Sequence, residues 1–311
     1  MYGLIILSVL IFGGCFALQD VYRKKRGSGL RVSMESACIG STAGLIVLLI
    51  INGLSLDATW FTLLTAFLTA FNAITFTFCA FKALNSINLS LFSLFSMLGG
   101  MALPFFQGIF FYNEGFTIAK GVCVAFICIA LALTVEKGDK KKGRIYYLGI
   151  FTLNGMSGVI SKWFTSAPFP KNSAECFSVW GALFTVLLSG VIWAILALLE
   201  KRNSAKTVAP ATEFEQIENK NVTIKPLKGK ALWTVYAIGA LQGTLSKVAN
   251  FLLVLALTQV QASVQYPMVT GGTMIVSTIL CFFGDKKPNK KEILSIALAF
   301  IGMLALFFIP V

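Results

Sequence analysis

Residues 83–100 read ALNSINLSLFSLFSMLGG, and residues 256–272 read ALTQVQASVQYPMVTGG. Both open with Ala-Leu, pass through small polar residues and end in Gly-Gly. The likeness continues beyond the glycines, with MALPFFQGIFFYNEG after the first copy and TMIVSTILCFFGDKK after the second. Ala83 pairs with Ala256, Gly99 with Gly271 and Glu114 with Asp285, at separations of 173, 172 and 171 residues. Upstream, FGG at 12–14 and LNG at 153–155 hold comparable places, and Glu35 and Glu175 each open the next apolar run. Any one match could arise by chance between apolar segments. Shared order at nearly constant spacing makes an internal repeat the better reading.

The chain around these phrases is written for lipid. Of its 311 residues, 57% are hydrophobic and 13% charged, with 28 Phe; soluble domains carry about 25% charged residues. Apolar runs fall at 2–19, 33–52, 58–82, 87–111, 117–135, 145–164, 174–199, 231–257, 261–283 and 292–310. Each is about long enough to cross a bilayer. Each is continuously apolar rather than alternating, which predicts helices and not barrel strands. The expected fold is therefore an all-α membrane protein with ten transmembrane helices in two five-helix repeats, 1–138 and 139–311. Five is odd, so the second half enters from the opposite face; this inverted repeat is the plan of many secondary transporters. Residues 200–230 are polar, mixed in charge and hold Pro210 and Pro226, which predicts a flexible loop.

Net charge is +13, and 22 of the 26 Lys/Arg fall in the odd-numbered connections between runs. Basic residues stay on the cytoplasmic side. This predicts a multi-pass protein of the cell membrane with loop 200–230 in the cytoplasm and both termini outside. Charge in a soluble chain of this kind would suggest nucleic acid; here it sets topology, and no nucleic-acid partner is expected. The chain has no His, which removes the commonest general base and metal ligand. Its seven Cys stand almost entirely in apolar runs without a CxxC, and read as small buried hydrophobes. No GxSxG, HExxH, P-loop or GxGxxG occurs. No catalytic residue, metal or cofactor is expected, and the expected partners are a small-molecule substrate and the bilayer, with a homodimer among the open assemblies.

Two five-helix halves, each with an Ala-Leu phrase, a Gly-containing fourth helix and an acidic residue after it, resemble the EamA-like branch of the drug/metabolite transporter superfamily. The resemblance covers almost the whole chain and rests on arrangement, since its motifs are individually weak. Glu114 matches the family's acidic position after the fourth helix, and Asp285 its second-half counterpart. The family's fourth-helix proline is displaced to Pro104, while Pro267 stands near its expected place in the ninth run. Members usually keep both termini in the cytoplasm, opposite to the charge distribution here. The resemblance implies a transporter and no enzyme.

Polar faces follow from 100° per residue. Ser93, Ser96, Gly100, Pro104 and Gln107 share a stripe in the fourth run, and Ser263, Pro267, Thr270, Ser277 and Cys281 another in the ninth, where Tyr266 adds a hydroxyl. Asn72, Thr75, Cys79 and Lys82 share a face in the third, Asn154, Ser157 and Ser161 in the sixth, and Gln242, Ser246, Lys247 and Asn250 an arc of the eighth. These stripes either converge on a central cavity or let helices pack closely. Lys247 stands apart, because a lysine at a helix centre costs about 2.5–3.5 kcal/mol on insertion scales and is too central to snorkel easily. Substrate or coupling-ion binding is one reading of it, structural pairing the other. Glu35 and Glu175 fit the dipole at helix starts, or line an entrance or coupling path.

The expected function is secondary-active transport of a small polar or amphipathic metabolite by alternating access. The substrate site is expected among Lys247, Asn250, Gln242, Asn72, Thr75, Ser93, Ser96, Asn154, Ser157, Thr270 and Tyr266, from the third, fourth, sixth, eighth and ninth runs. The alternatives are a non-transporting sensor or assembly subunit, and a membrane-embedded lipid-modifying enzyme.

Overall fold

The structure, a computed structural model, describes residues 2–27, 29–86, 89–111, 118–134, 144–206, 229–260, 262–283 and 290–308. Glu114, Asp285 and the centre of the expected loop, 207–228, lie outside these residues. Among the described residues there is no strand. In chain order the helices are α1 (Tyr2–Arg26), α2 (Leu30–Ile51), α3 (Trp60–Ser86), α4 (Leu89–Phe111), α5 (Ile118–Thr134), α6 (Arg144–Ser166), α7 (Ala174–Lys206), α8 (Lys230–Leu257), α9 (Ala262–Phe282) and α10 (Lys290–Phe308).

Six of these helices are long and apolar enough to cross a membrane: α1, α2, α3, α4 over Leu94–Phe111, α7 over Ala174–Glu200, and α8. Their outward faces carry large apolar side chains, among them Ile50, Phe71, Phe110, Leu198 and Trp233. In a helix every backbone group but those at the ends is satisfied internally, which is what a span in hydrocarbon requires. The hydroxyls within the apolar runs follow the same rule. Thr42, Thr65, Thr69, Thr185 and Thr278 each donate to the carbonyl four residues back.

One expectation is corrected at the end of α7. Residues 200–206 are helical and do not belong to a flexible loop. The run Glu200-Lys-Arg-Asn-Ser-Ala-Lys is largely made of helix-favouring residues, and Glu200 is held by an ion pair to Arg31 of α2. Polarity ends the membrane-compatible segment there, but it does not end the helix.

Helix packing follows a regular scheme. α4 packs on α6, α2 on α7 and α8, α1 on α8 and α9, α3 on α6 and α7, α4 on α9, and α5 on α10. Shifting every helix number by five returns the same scheme. The α4–α6 pair becomes α9–α1, α2–α8 becomes α7–α3, and α3–α6 becomes α8–α1; α2–α7, α4–α9 and α5–α10 map onto themselves.

Close crossings are made at glycine, as expected where lipid tails remove the hydrophobic drive between helices. A Cβ on Gly40 of α2 would lie 2.8 Å from the Cα of Gly243 in α8. A Cβ on Gly155 of α6 would lie 2.5 Å from the carbonyl oxygen of Gly99 in α4. An apolar cluster around Phe92, Leu94, Leu98, Ile150 and Met274 packs α4 against α6 and α9. Another, with Phe61, Phe164 and Phe177, joins the start of α3 to the end of α6 and the start of α7; Phe164 and Phe177 stack at 4.2 Å between ring centroids. The connections beside that cluster are tied together. Thr59 N–H donates to Asn172 Oδ1 at 2.7 Å, and Trp180 Nε1 donates to the Asp57 carbonyl at 3.1 Å. Lys171 caps the end of α6 by donating to the carbonyls of Thr165 and Ala167.

Candidate functional site

A cavity of about 210 Å³ lies between these helices. Its wall is drawn from Phe12, Cys15, Phe16 and Gln19 of α1, Ser36, Gly40 and Ser41 of α2, Asn72, Ala73, Phe76 and Thr77 of α3, and Gly100 of α4. Asn154, Ser157 and Ser161 of α6, Thr185 of α7, Gln242, Ser246, Lys247 and Asn250 of α8, and Gln265, Tyr266 and Thr270 of α9 also line it, and the two sets alternate around it, since α1–α4 pack on α6–α9. The offsets read from the sequence, FGG on LNG and Ala83 on Ala256, can be carried onto this wall. Phe12 and Phe16 correspond to Leu153 and Ser157, and Ala73 and Thr77 to Ser246 and Asn250, and all eight line the cavity.

The amides that reach this space also clamp the helices around it. Asn154 Nδ2 donates to the Ser96 carbonyl at 2.6 Å, crossing from α6 to α4 beside Gly100. Asn72 Nδ2 donates to the Leu153 carbonyl at 2.8 Å, from α3 to α6. Tyr266 donates its hydroxyl proton to the Gly158 carbonyl at 2.9 Å, from α9 to α6. Gln265 Nε2 donates to the Leu253 carbonyl at 2.8 Å, from α9 to α8. Gly158 accommodates both Tyr266 and Pro104, whose ring sits within α4 and faces α6.

Lys247 is the one charged residue on the cavity wall among the described residues. Its ammonium donates to Thr185 Oγ1 at 3.1 Å. Its stem crosses Gly44 of α2, where an added Cβ would come 2.9 Å from Lys247 Cγ. Of the Gly40/Gly44 pair, Gly40 therefore meets the α8 backbone and Gly44 makes room for the lysine. The residue 173 positions earlier, at the offset of Ala83 on Ala256, is Ile74, which is buried and uncharged.

The structure brings Lys247, Asn250, Gln242, Asn72, Asn154, Ser157, Thr270 and Tyr266 to one cavity. Thr75 does not line it and instead donates to the Phe71 carbonyl of its own helix. Asn72, Ala73, Phe76 and Thr77 define the arc of α3 that faces the cavity, and at 100° per residue Thr75 falls well outside it. Ser96 is fully buried and off the wall; only its backbone carbonyl takes part, as the acceptor for Asn154. The side chain of Ser93 lies outside the described residues.

The two carboxylates are also away from the cavity wall. Glu35 is buried and accepts two hydrogen bonds from Arg26, Nε and Nη2 each at 3.1 Å. That pair exists because α1 runs on to Arg26, beyond the apolar run that ends at 19. Glu175 stands in the first turn of α7, where a carboxylate complements the helix dipole. Gln19, Ser36, Ser41 and Thr185 are wall residues outside the expected set. They bring α1, α2 and α7 to a cavity expected from the other helices.

No protein-family model and no curated protein sequence matches the chain. A solved structure named only "Crystal structure of protein" superposes on it with a TM-score of 0.58 at 15% identity. The match covers 96% of this chain and 94% of that one, so the likeness is one of overall fold.

Proposed function

We propose that this chain is a secondary-active transporter of a small polar or amphipathic metabolite, an EamA-like member of the drug/metabolite transporter superfamily. In this reading ten spans form two inverted halves, 1–138 and 139–311, in the cell membrane. Loop 200–230 faces the cytoplasm and both termini face outward, in keeping with the Lys/Arg distribution. The observation that carries the proposal is the cavity itself: a polar chamber within a bundle of apolar helices, lined from both sides of residue 139.

Secondary transporters place substrate at such a repeat interface and alternate access by rocking one repeat against the other. The packing scheme that survives a shift of five helices supports that geometry. So do the wall residues that occur in matched pairs. Hydroxyls and amides on the wall suit a polar solute, and Phe12, Phe16 and Phe76 suit its apolar part.

The test is reconstitution of the purified chain into proteoliposomes, followed by uptake and counterflow measurements against a metabolite panel. Saturable counterflow of at least one solute, absent from empty vesicles, is expected. Absence of flux across the panel, with protein that is folded and inserted in both orientations, would overturn the reading.

A further inference from the structure

We infer that the cavity takes a small monoanion, a carboxylate-bearing metabolite whose charge is met by Lys247; the inference rests on the transporter reading above and names its substrate class. The first ground is charge balance. Lys247 is the only charged residue on the wall among the described residues. The carboxylate of Glu35 is engaged by Arg26 in a two-pronged ion pair, so it is committed elsewhere. An ammonium in a low-dielectric interior is costly until a counter-charge arrives. A monoanion supplies one charge; a dianion would bring a second without a partner, and a cation would meet repulsion.

The second ground is hydrogen bonding. A lysine ammonium has three donors, and Thr185 Oγ1 accepts one of them at 3.1 Å. That hydroxyl donates its own proton to the Gly181 carbonyl at 2.6 Å, so it faces Lys247 purely as an acceptor. The arrangement orients the ammonium and leaves donor capacity for a carboxylate, which makes stronger hydrogen bonds with a charged donor than with a neutral one. Ser246 and Asn250 lie on the same wall of α8 and offer polar groups beside the charge.

The third ground is room. Gly44 leaves the space that the lysine stem crosses, so the sequence makes way for this side chain at an interface otherwise sealed by Gly40 and Gly243. A volume of about 210 Å³ is small for a ligand site, and suits a compact acid rather than a nucleotide or lipid.

The experiment uses the full chain purified in detergent, with thermal unfolding and equilibrium binding measured at constant ionic strength. The probes are acid and amide pairs of equal shape, lactate with lactamide and benzoate with benzamide, with succinate as the dianion. Lactate or benzoate is expected to raise Tm while its amide does not, and Lys247→Gln is expected to weaken acid binding about tenfold or more. Amides that bind as well as acids, acids that do not bind, succinate that binds more tightly than the monoanions, or acid binding unchanged in Lys247→Gln would each overturn the inference. If Lys247→Gln does not fold, the acid–amide comparison on the native chain decides alone. Binding is read without vesicles, so failure here is separable from failure of the transporter reading. A chain that binds acids without moving them loses only the latter, and one that carries neutral solutes equally well after Lys247→Gln loses only the former.

Discussion

The lysine at the cavity wall occupies space that a glycine on the facing helix leaves open: a Cβ on Gly44 would come 2.9 Å from Lys247 Cγ and 3.1 Å from its Cβ. These are atoms near the root of the side chain, where rotamer changes give little relief. Gly44→Ala is therefore expected to displace the ammonium from Thr185 and weaken solute binding severalfold at modest cost in Tm. Gly44→Leu is expected to abolish binding. Equilibrium binding and melting curves on the two variants check this; native affinity in Gly44→Leu would show that the stem does not need that path.

The α2–α8 crossing sets a second expectation. Gly40 and Gly243 approach backbone to backbone, so a side chain on either forces the helices apart. Overpacking costs about 1–3 kcal/mol in well-packed interiors. Gly243→Ala is expected to lower Tm measurably, and Gly243→Val to lower it further. The same substitutions at Gly14, which has no neighbour within 4 Å of an added Cβ, are expected to be tolerated. Melting curves in a single detergent give the comparison.

Glu35 is 3% exposed and paired with Arg26. Breaking a buried pair by removing one partner costs about 3–5 kcal/mol, whereas replacing both by apolar groups is often neutral. Arg26→Gln is expected to destabilise the chain strongly, and the double substitution Arg26→Leu with Glu35→Leu to restore much of the loss. Thermal unfolding of the single and double variants measures the coupling. Additive losses would mean that the two residues do not act as a pair.

Orientation gives a fourth prediction. If the basic connections are cytoplasmic, a fluorescent protein that folds only in the cytoplasm will stay dark at the C-terminus and fluoresce when inserted within residues 207–228. The opposite pattern would place both termini in the cytoplasm.

The helical runs and the place of the eighth-helix lysine at a cavity were legible in the sequence because each leaves a signal longer than one residue or costlier than one contact. The walls from α1, α2 and α7 were not. Gly40 and Gly44 form a GxxxG, which reads as a packing face, and Gly40 does serve packing; Ser36 and Ser41 beside them carry no signal of their own. Thr185 looks like any hydroxyl that donates to its own helix, which it also does. Thr75 failed for the complementary reason: a threonine satisfied by the carbonyl four residues back can face away from any cavity without penalty. In sequence Glu35 looks like a helix-start or entrance residue, because nothing in the polar stretch after residue 19 says that α1 continues to Arg26. Hydropathy locates where a membrane segment ends, and the hydrogen-bonded helix stops elsewhere.

The glycine crossings have a mechanical consequence. Two helices that meet through interlocked side chains behave like meshed gears, and a shift of one must drag or unseat the other. Where Gly40 meets Gly243 the backbones touch without teeth, and where Gly155 meets Gly99 the one tooth is Leu103. Such contacts have the form of plain bearings: the helices are held close with few side chains to block a turn. Across the α4–α6 joint the Asn154 amide is tied to the Ser96 carbonyl, and beside the α2–α8 joint the Lys247 ammonium ties α8 to Thr185 of α7. Loss of either tie would leave more of the hold at that joint to backbone contact.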